Sequence, residues 1–386
     1  MNNTASVQPA ADVLIVGGGA VGASIAFFLS RRGASVRLLE REELASQASG
    51  AAAGMLAPIC ESEGLGPFFE LGVASLGMLT ELCGVLRQES GIDPQLSLSG
   101  ILRIATSEVE ATDLREHTRS MGTYGLEWID RAAVLEHHPG ASHTVLGAMW
   151  SPSEGHVLSP LLTRAYGEAA RRRGARIETG IQVTGLLRDG NRVTGVQTTD
   201  GDRPAGHVIL AAGAWTRLCA PWFGKELDLV PIRGQILSLG QPLPLLRHIL
   251  WGAGGYIVPK LDGTVVVGAT MERAGYDRRN TAAGVAELLT FPTQLVPAFG
   301  AATFLRAWSG LRPATADRLP VVGAVPGAEG LSLATGHYRN GVLLSAVTGK
   351  LVSEALAGSN WPEVLESFTP SRAGILVSSA AGSVHA

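Results

Sequence analysis

The sequence predicts an α/β protein. It should pair a Rossmann-type dinucleotide-binding domain with an α+β domain whose sheet is mostly antiparallel, both discontinuous along the chain. Three observations carry this. Asp12 to Glu40 (DVLIVGGGAVGASIAFFLSRRGASVRLLE) strings together an apolar run, a glycine-rich turn, a helical stretch and a second apolar run. Leu229 to Ala307 is rich in strand-like segments, with breaks at Gly234, Pro242, Gly252 and Gly263. The chain has 386 residues, 46% of them hydrophobic and only 17% charged, enough to bury two joined cores.

Val13 to Val16 reads as a buried strand. Gly17-Gly18-Gly19-Ala20-Val21-Gly22 follows at once and contains G-x-G-x-x-G. Val21 to Arg32 reads as a helix, apolar at Val21, Ile25, Phe28 and Leu29 and stopped by Gly33, and Val36 to Leu39 is a second strand ending on Glu40. This is the βαβ fingerprint in its required context. Gly17 allows the tight turn, Gly19 lets backbone approach a pyrophosphate, and Gly22 lets helix pack on strand. The helix N-terminus offers N–H groups and a positive dipole end to phosphates. Glu40 is placed to accept from ribose hydroxyls. The pattern does not choose between NAD and FAD.

The following segments read in order. Ala45 to Pro58 (ASQASGAAAGMLAP) is either small-residue backbone passing close to a bound ring or an Ala-rich helix. Phe68 to Ser90 is an amphipathic helix closed by Gly91, Ser99 to Thr106 a strand, Glu108 to Gly122 a polar helix. Trp128 to Glu136 gives a strand and a short helix, Ala148 to Trp150 another strand. Pro160 to Arg173 is a helix with a basic last turn suited to its dipole. Ala175 to Val183 reads as one strand, Leu186 to Thr198 as a hairpin around Asp189-Gly190-Asn191, and His207 to Ala211 as a strand running into small residues. Ala282 to Leu289 is helical, Phe304 to Trp308 starts a strand, and Val342 to Leu356 is the final helix.

A net charge of −3 with no long basic block argues against a nucleic-acid partner. Cys60, Cys83 and Cys219 are odd in number and widely spaced, so reduced thiols in the cytoplasm are expected rather than a disulfide framework. The histidines show no metal-ligand spacing, and no metal is expected. The polar start lacks a signal-peptide core, and no apolar run reads as long enough to span a bilayer. Residues 1–11 and 371–386 read as loose tails.

Gly17 to Gly22, Glu40 and SGAAAGMLAP together resemble the FAD-dependent amino-acid oxidases of the D-amino-acid oxidase superfamily, and within it the glycine oxidases of the thiamine pathway. The likeness extends through EGHV at Glu154, VILAAGAWT, GGYIVPK, WSGLRPATADRLPVVG and LATGHYRNGVLL, from about Asp12 to about Pro370. It implies an FAD-binding domain over 12–90, 151–225 and 308–370 and a substrate domain over 91–150 and 226–307. It implies FAD contacts from Gly17, Gly19, Ala20, Val21, Gly22, Glu40, Arg41, Ser49, Ala53, Gly54, Met55, Val183, Ala212, Gly213, Gly336, His337, Arg339, Asn340, Gly341, Val342 and Leu343. Arg312 matches the family's carboxylate anchor, a task suited to a planar fork that grips both oxygens. Tyr256 matches its second carboxylate contact, Met271 a residue of the pocket wall, and Arg339 an arginine beside the flavin. Gly254 stands two residues before Tyr256, where some glycine oxidases carry His.

No cysteine follows Cys219, so FAD is expected to be non-covalent. The implied reaction oxidises glycine or another small amine or D-amino acid to the imine, which hydrolyses to the 2-oxo acid and ammonia. Oxygen is the expected acceptor, giving hydrogen peroxide; the alternative is a D-amino-acid or secondary-amine dehydrogenase that passes electrons to a quinone. Relatives imply a homo-oligomer.

Overall fold

The structure, a computed structural model, describes residues 10–62, 64–243, 246–358 and 360–378. Its first sheet is built on Ala11–Val16, flanked in parallel by Val36–Leu39 on one side and Arg203–Leu210 on the other. Arg176–Glu178 extends it beyond Val36–Leu39, and Leu331–Thr335 beyond Arg203–Leu210. Alternate residues of the central strand enter different cores. Val13 and Ile15 pack with Phe27, Leu79, Tyr166 and Val352, whereas Leu14 and Val16 pack with Val208, Phe223 and Leu333. A parallel strand covered on both faces must be apolar throughout, which is why Val13 to Val16 reads as an unbroken run.

Helices Ala20–Arg31, Pro67–Ser90, Ser159–Arg172 and Ser345–Ala357 share the first of these cores. Pro67–Ser90 corrects one expectation, because by length and composition it is apolar enough to cross a membrane. It is a core helix here. Leu71, Leu79 and Leu86 are buried, and Ser75 donates to the Leu343 carbonyl at 2.5 Å.

The second sheet has eight strands, all neighbours antiparallel except Ile249–Gly252 against Ile101–Ala105. At its heart Val230–Gly240 lies between Phe304–Ala314 and Thr264–Gly268. Leu237, Val265 and Val267 face Leu288 and Phe291 of helix Ala282–Leu295, while Ile236, Val258 and Val266 face the opposite way. Phe304–Ala314 is thus wholly a strand of this sheet, so residues 308–314, assigned above to the cofactor domain, belong here.

Other boundaries shift for local reasons. Ala45 to Pro58 yields only one helical turn, Ala48–Ala51, before Met55–Leu56 pairs with Gly155–His156. The single strand expected over Ala175 to Val183 is two, Arg176–Glu178 and Val183–Asp189; Gly180 turns the chain between them at φ +74°. The final helix starts at Ser345 rather than Val342, because a turn through which Leu344 N donates to Asn340 O precedes it. Nor is 371–378 a loose tail: Leu376–Ser378 pairs with Lys225–Leu227. Ala11 already belongs to the first strand, and the remaining tail residues, 1–9 and 379–386, lie outside the described residues.

Candidate active site

A cavity opens over the C-terminal ends of the parallel strands, at Val16, Leu39, Ala211 and Ala334. This is where doubly wound sheets bind ligands, since the chain leaves neighbouring strands in opposite directions there. Its wall runs from the Gly17–Val21 turn to Tyr256 and Arg312 of the second sheet.

At the first end the wall is backbone. Gly17 adopts φ +113°, and a Cβ there would lie 2.5 Å from the Ala211 carbonyl oxygen. A Cβ on Gly22 would strike the Gly17 carbonyl oxygen. Gly19 caps the helix, and Ala20 N donates to Ser49 Oγ at 2.9 Å. Glu40 is fixed by accepting from Gly18 N at 2.6 Å and Glu42 N at 2.8 Å. Arg41 lies 5.0 Å over the Trp215 ring, and Val183 closes the same side. Turn, helix terminus and carboxylate fit the pyrophosphate and ribose of a dinucleotide, and backbone packing leaves no room for a side chain at Gly17 or Gly22.

Between the two ends the lining includes Ser49, Ala53, Gly54, Met55, Ala212, Gly213, His337, Gly341 and Val342. His337 is buried with Nε2 3.1 Å from Thr348 Oγ1, and burial lowers its pKa to about 4. Behind Ala53 stands Lys260, a buried lysine unnoticed in the sequence. Its Nζ donates to Ala53 O at 2.7 Å and Val157 O at 3.3 Å, with His156 Nδ1 at 3.4 Å. Burial lowers its pKa to about 7. A lysine closing the apolar run YIVPK was the one available signal.

At the far end the wall is side chains. Arg312 Nη1 donates to Thr270 O at 3.0 Å, and its guanidinium lies flat over Gly234, where any Cβ would collide with it. Likewise a Cβ on Gly268 would meet the Tyr256 hydroxyl at 2.7 Å. Two glycines on neighbouring strands thereby clear the floor on which Arg312 and Tyr256 lie. Burial raises the pKa of Tyr256, while the adjacent Arg312 and Arg339 lower it. Arg339 Nε pairs with Glu61 Oε1 at 2.6 Å. Glu61 also lines the cavity, and nothing in its sequence context marked it.

Five of the residues anticipated from sequence lie off the wall. Gly22 acts in helix–strand packing. Gly336 turns the chain at φ +74°, Asn340 holds the following turn, and Leu343 is buried in the core. Met271 is the clearest correction: it is 62% exposed and absent from the cavity lining, with the Tyr338 hydroxyl 3.4 Å from its sulfur. Thr270 and Glu272 on either side of it bond to Gln235 and Arg233. His156 and His337 are both held in protein contacts.

Comparison with known proteins places this cavity in a lineage. The family model for FAD dependent oxidoreductases (DAO) matches residues 12–355. The glycine oxidase of Geobacillus kaustophilus (strain HTA426) is 38% identical over 347 residues, 89% of this chain and 92% of that one. The bifunctional protein ThiO/ThiG of Nostoc sp. (strain PCC 7120 / SAG 25.82 / UTEX 2576) is 36% identical over 94% of this chain, which spans 55% of it. A solved structure of glycine oxidase from Geobacillus kaustophilus superposes with a TM-score of 0.90 at 36% identity, covering 95% of this chain and 99% of that one. The chain therefore belongs to the DAO family of FAD-dependent oxidoreductases.

Proposed function

We propose that this enzyme oxidises glycine, and with it small amines and D-amino acids, to the 2-oxo acid, ammonia and hydrogen peroxide. The observation that carries the reading is the convergence of Arg312 and Tyr256 on one end of a cavity whose other end is a dinucleotide turn. Relatives named glycine oxidase across 89% of the chain support it. ThiO/ThiG relatives support the place in thiamine thiazole biosynthesis that the resemblance implies.

In this reading Gly17, Gly19, Ala20 and Val21 hold the FAD pyrophosphate, Glu40, Arg41 and Val183 the adenosine, and Ala53 to Met55 with Gly341 and Val342 the ring. Bound FAD supplies the two-electron acceptor and the route to oxygen. Arg312 grips the substrate carboxylate as a fork, and the neutral Tyr256 hydroxyl donates a second hydrogen bond to it. Together they fix the α-carbon, so that a Cα–H bond breaks with its electron pair while the amine lone pair forms the C=N bond. Loss of the remaining amine proton and addition of water then give glyoxylate and ammonia from glycine. FAD is held without a covalent link. Cys219 lines the cavity near Ala212, but burial raises its thiol to about 12, far from the thiolate a bond would need. Oxygen as acceptor, a cytoplasmic site of action and a homo-oligomer complete the proposal; Phe304 and Leu305, exposed on an edge strand, offer an apolar face for assembly.

Anaerobic mixing of the purified holoenzyme with glycine, followed by admission of air, tests the reading. Bleaching of the flavin followed by recovery and peroxide is the expected result. Bleaching that persists in air indicates a dehydrogenase, and no bleaching overturns the glycine assignment.

A further inference from the structure

The charged side chains lining the far end of the cavity are Arg312, Arg339 and Glu61. Two cations and one anion leave a single net positive charge, the complement of one carboxylate. Within this trio Arg339 and Glu61 form an ion pair. Arg339 donates from Nε to Glu61 Oε1 at 2.6 Å, and its guanidinium lies 5.7 Å over the Trp251 ring. Arg103 stacks on the same ring at 5.1 Å.

Glu61 is equally constrained from its backbone. Its N–H donates to Ala57 O at 3.0 Å. Just before it, Ile59 N and Cys60 N both donate to the carboxylate of the fully buried Glu154, at 2.5 Å and 3.1 Å. Arg103 Nη1 donates to Cys60 O at 3.0 Å, and His117 Nε2 lies 3.3 Å from Ile59 O. Burying an acid is costly unless backbone donors satisfy it, and here that acid anchors the short segment ending in Glu61.

We infer that Glu61 is the residue that restricts the site to monocarboxylates, by occupying Arg339. The inference rests on the reading above, in which Arg312 takes the substrate carboxylate. A second carboxylate on a ligand then finds the remaining guanidinium already paired and meets the Glu61 anion beside it. Such exclusion is discrimination by repulsion, added to the attraction that selects the right ligand.

The test uses FAD-loaded enzyme and two ligands that cannot be oxidised, acetate and malonate, with dissociation constants read from the shift in flavin absorbance. Wild type is expected to bind acetate at least about tenfold more tightly than malonate, a difference of about 1.4 kcal/mol. Glu61→Gln keeps the side-chain shape and should lower the malonate-to-acetate ratio of dissociation constants by about tenfold or more. Glu61→Asp, which keeps the charge, should preserve the wild-type ratio, and Glu61→Gln combined with Arg339→Met should lose the gain. Because each ratio is taken within one protein sample, partial loss of folded enzyme does not alter it. A Glu61→Gln ratio within about twofold of wild type overturns the inference, as does a gain that survives removal of Arg339. Wild type that binds neither ligand overturns the carboxylate anchor itself, a separate failure.

Discussion

At one end of the cavity Gly17 to Val21, consecutive in sequence, present backbone to the cavity; at the other, Glu61, Tyr256, Arg312 and Arg339 arrive from four separate parts of the chain. The first end depends on what is missing, a Cβ at Gly17 and Gly22. The second depends on side chains whose positions are set by partners: Thr270 and Gly234 for Arg312, Gly268 for Tyr256, Glu61 and Trp251 for Arg339. The backbone end should be intolerant of any added atom and indifferent to charge. The side-chain end should tolerate loss of atoms structurally and fail in chemistry.

The largest break in that contrast is expected at Gly22. Gly22→Val drives a side chain into the Gly17 carbonyl, which cannot yield without losing the turn. The purified variant should lack flavin and lose activity by at least about a hundredfold; normal flavin content in its absorption spectrum would refute the backbone account. Arg312→Ala comes next. Removing a buried charge partner costs about 2–5 kcal/mol, so kcat/KM for glycine should fall by roughly 30-fold to several thousandfold, with FAD content unchanged. Loss of FAD in that variant would erase the distinction between the two ends.

Lys260 sharpens the comparison, because it is a charge held behind backbone. Its pKa falls from 10.5 to about 7 on folding, through burial. Between those values the unfolded chain carries a proton that the folded chain has released, so this group makes stability rise with pH across that window. At about 1.4 kcal/mol per pKa unit the effect is of the order of a few kcal/mol. Lys260→Met should lack this slope. Its denaturation midpoint relative to wild type should therefore be higher at about pH 6.5 than at about pH 9.5, and parallel pH curves would show that Lys260 is neutral throughout or fully paired. The smallest effect is expected at the outward-facing Met271, where Met271→Leu should alter kcat/KM by less than about twofold; a larger change would bring it back to the pocket wall.

The same contrast explains what was legible in the sequence. The Asp12–Glu40 unit was readable because its turn, helix and strands are neighbours along the chain, and its glycines are required by geometry within that unit. Arg312 and Tyr256 were identified through resemblance, and the fold displays why they lie where they do: Gly234 and Gly268 sit beside them on adjoining strands, a relation with no sequence spacing. Glu61 and Lys260 were missed because their partners, Arg339 and Ala53, are remote in sequence. The exposure of Met271 was not legible because its neighbours Thr270 and Glu272 are held by Gln235 and Arg233, which are remote in sequence. The start of the last helix moved for a similar reason, since Val342 to Leu344 have helix-compatible side chains and only the turn from His337 to Asn340 decides otherwise.

The long helix Pro67–Ser90 has a consequence for how the chain comes off the ribosome. It shares its core with Ser159–Arg172 and Ser345–Ala357, and Ser75 Oγ accepts from Val347 N at 3.2 Å. The last of these partners is synthesised roughly 250 residues after Ser90, which at about 5–20 residues per second is a delay of tens of seconds. Throughout that interval an apolar helix long enough to suit a bilayer has no final neighbour to cover it. The nascent chain thus has to be kept from wrong associations until its closing helix emerges, and the seam between Ser75 and Val347 is where synthesis and folding are completed together.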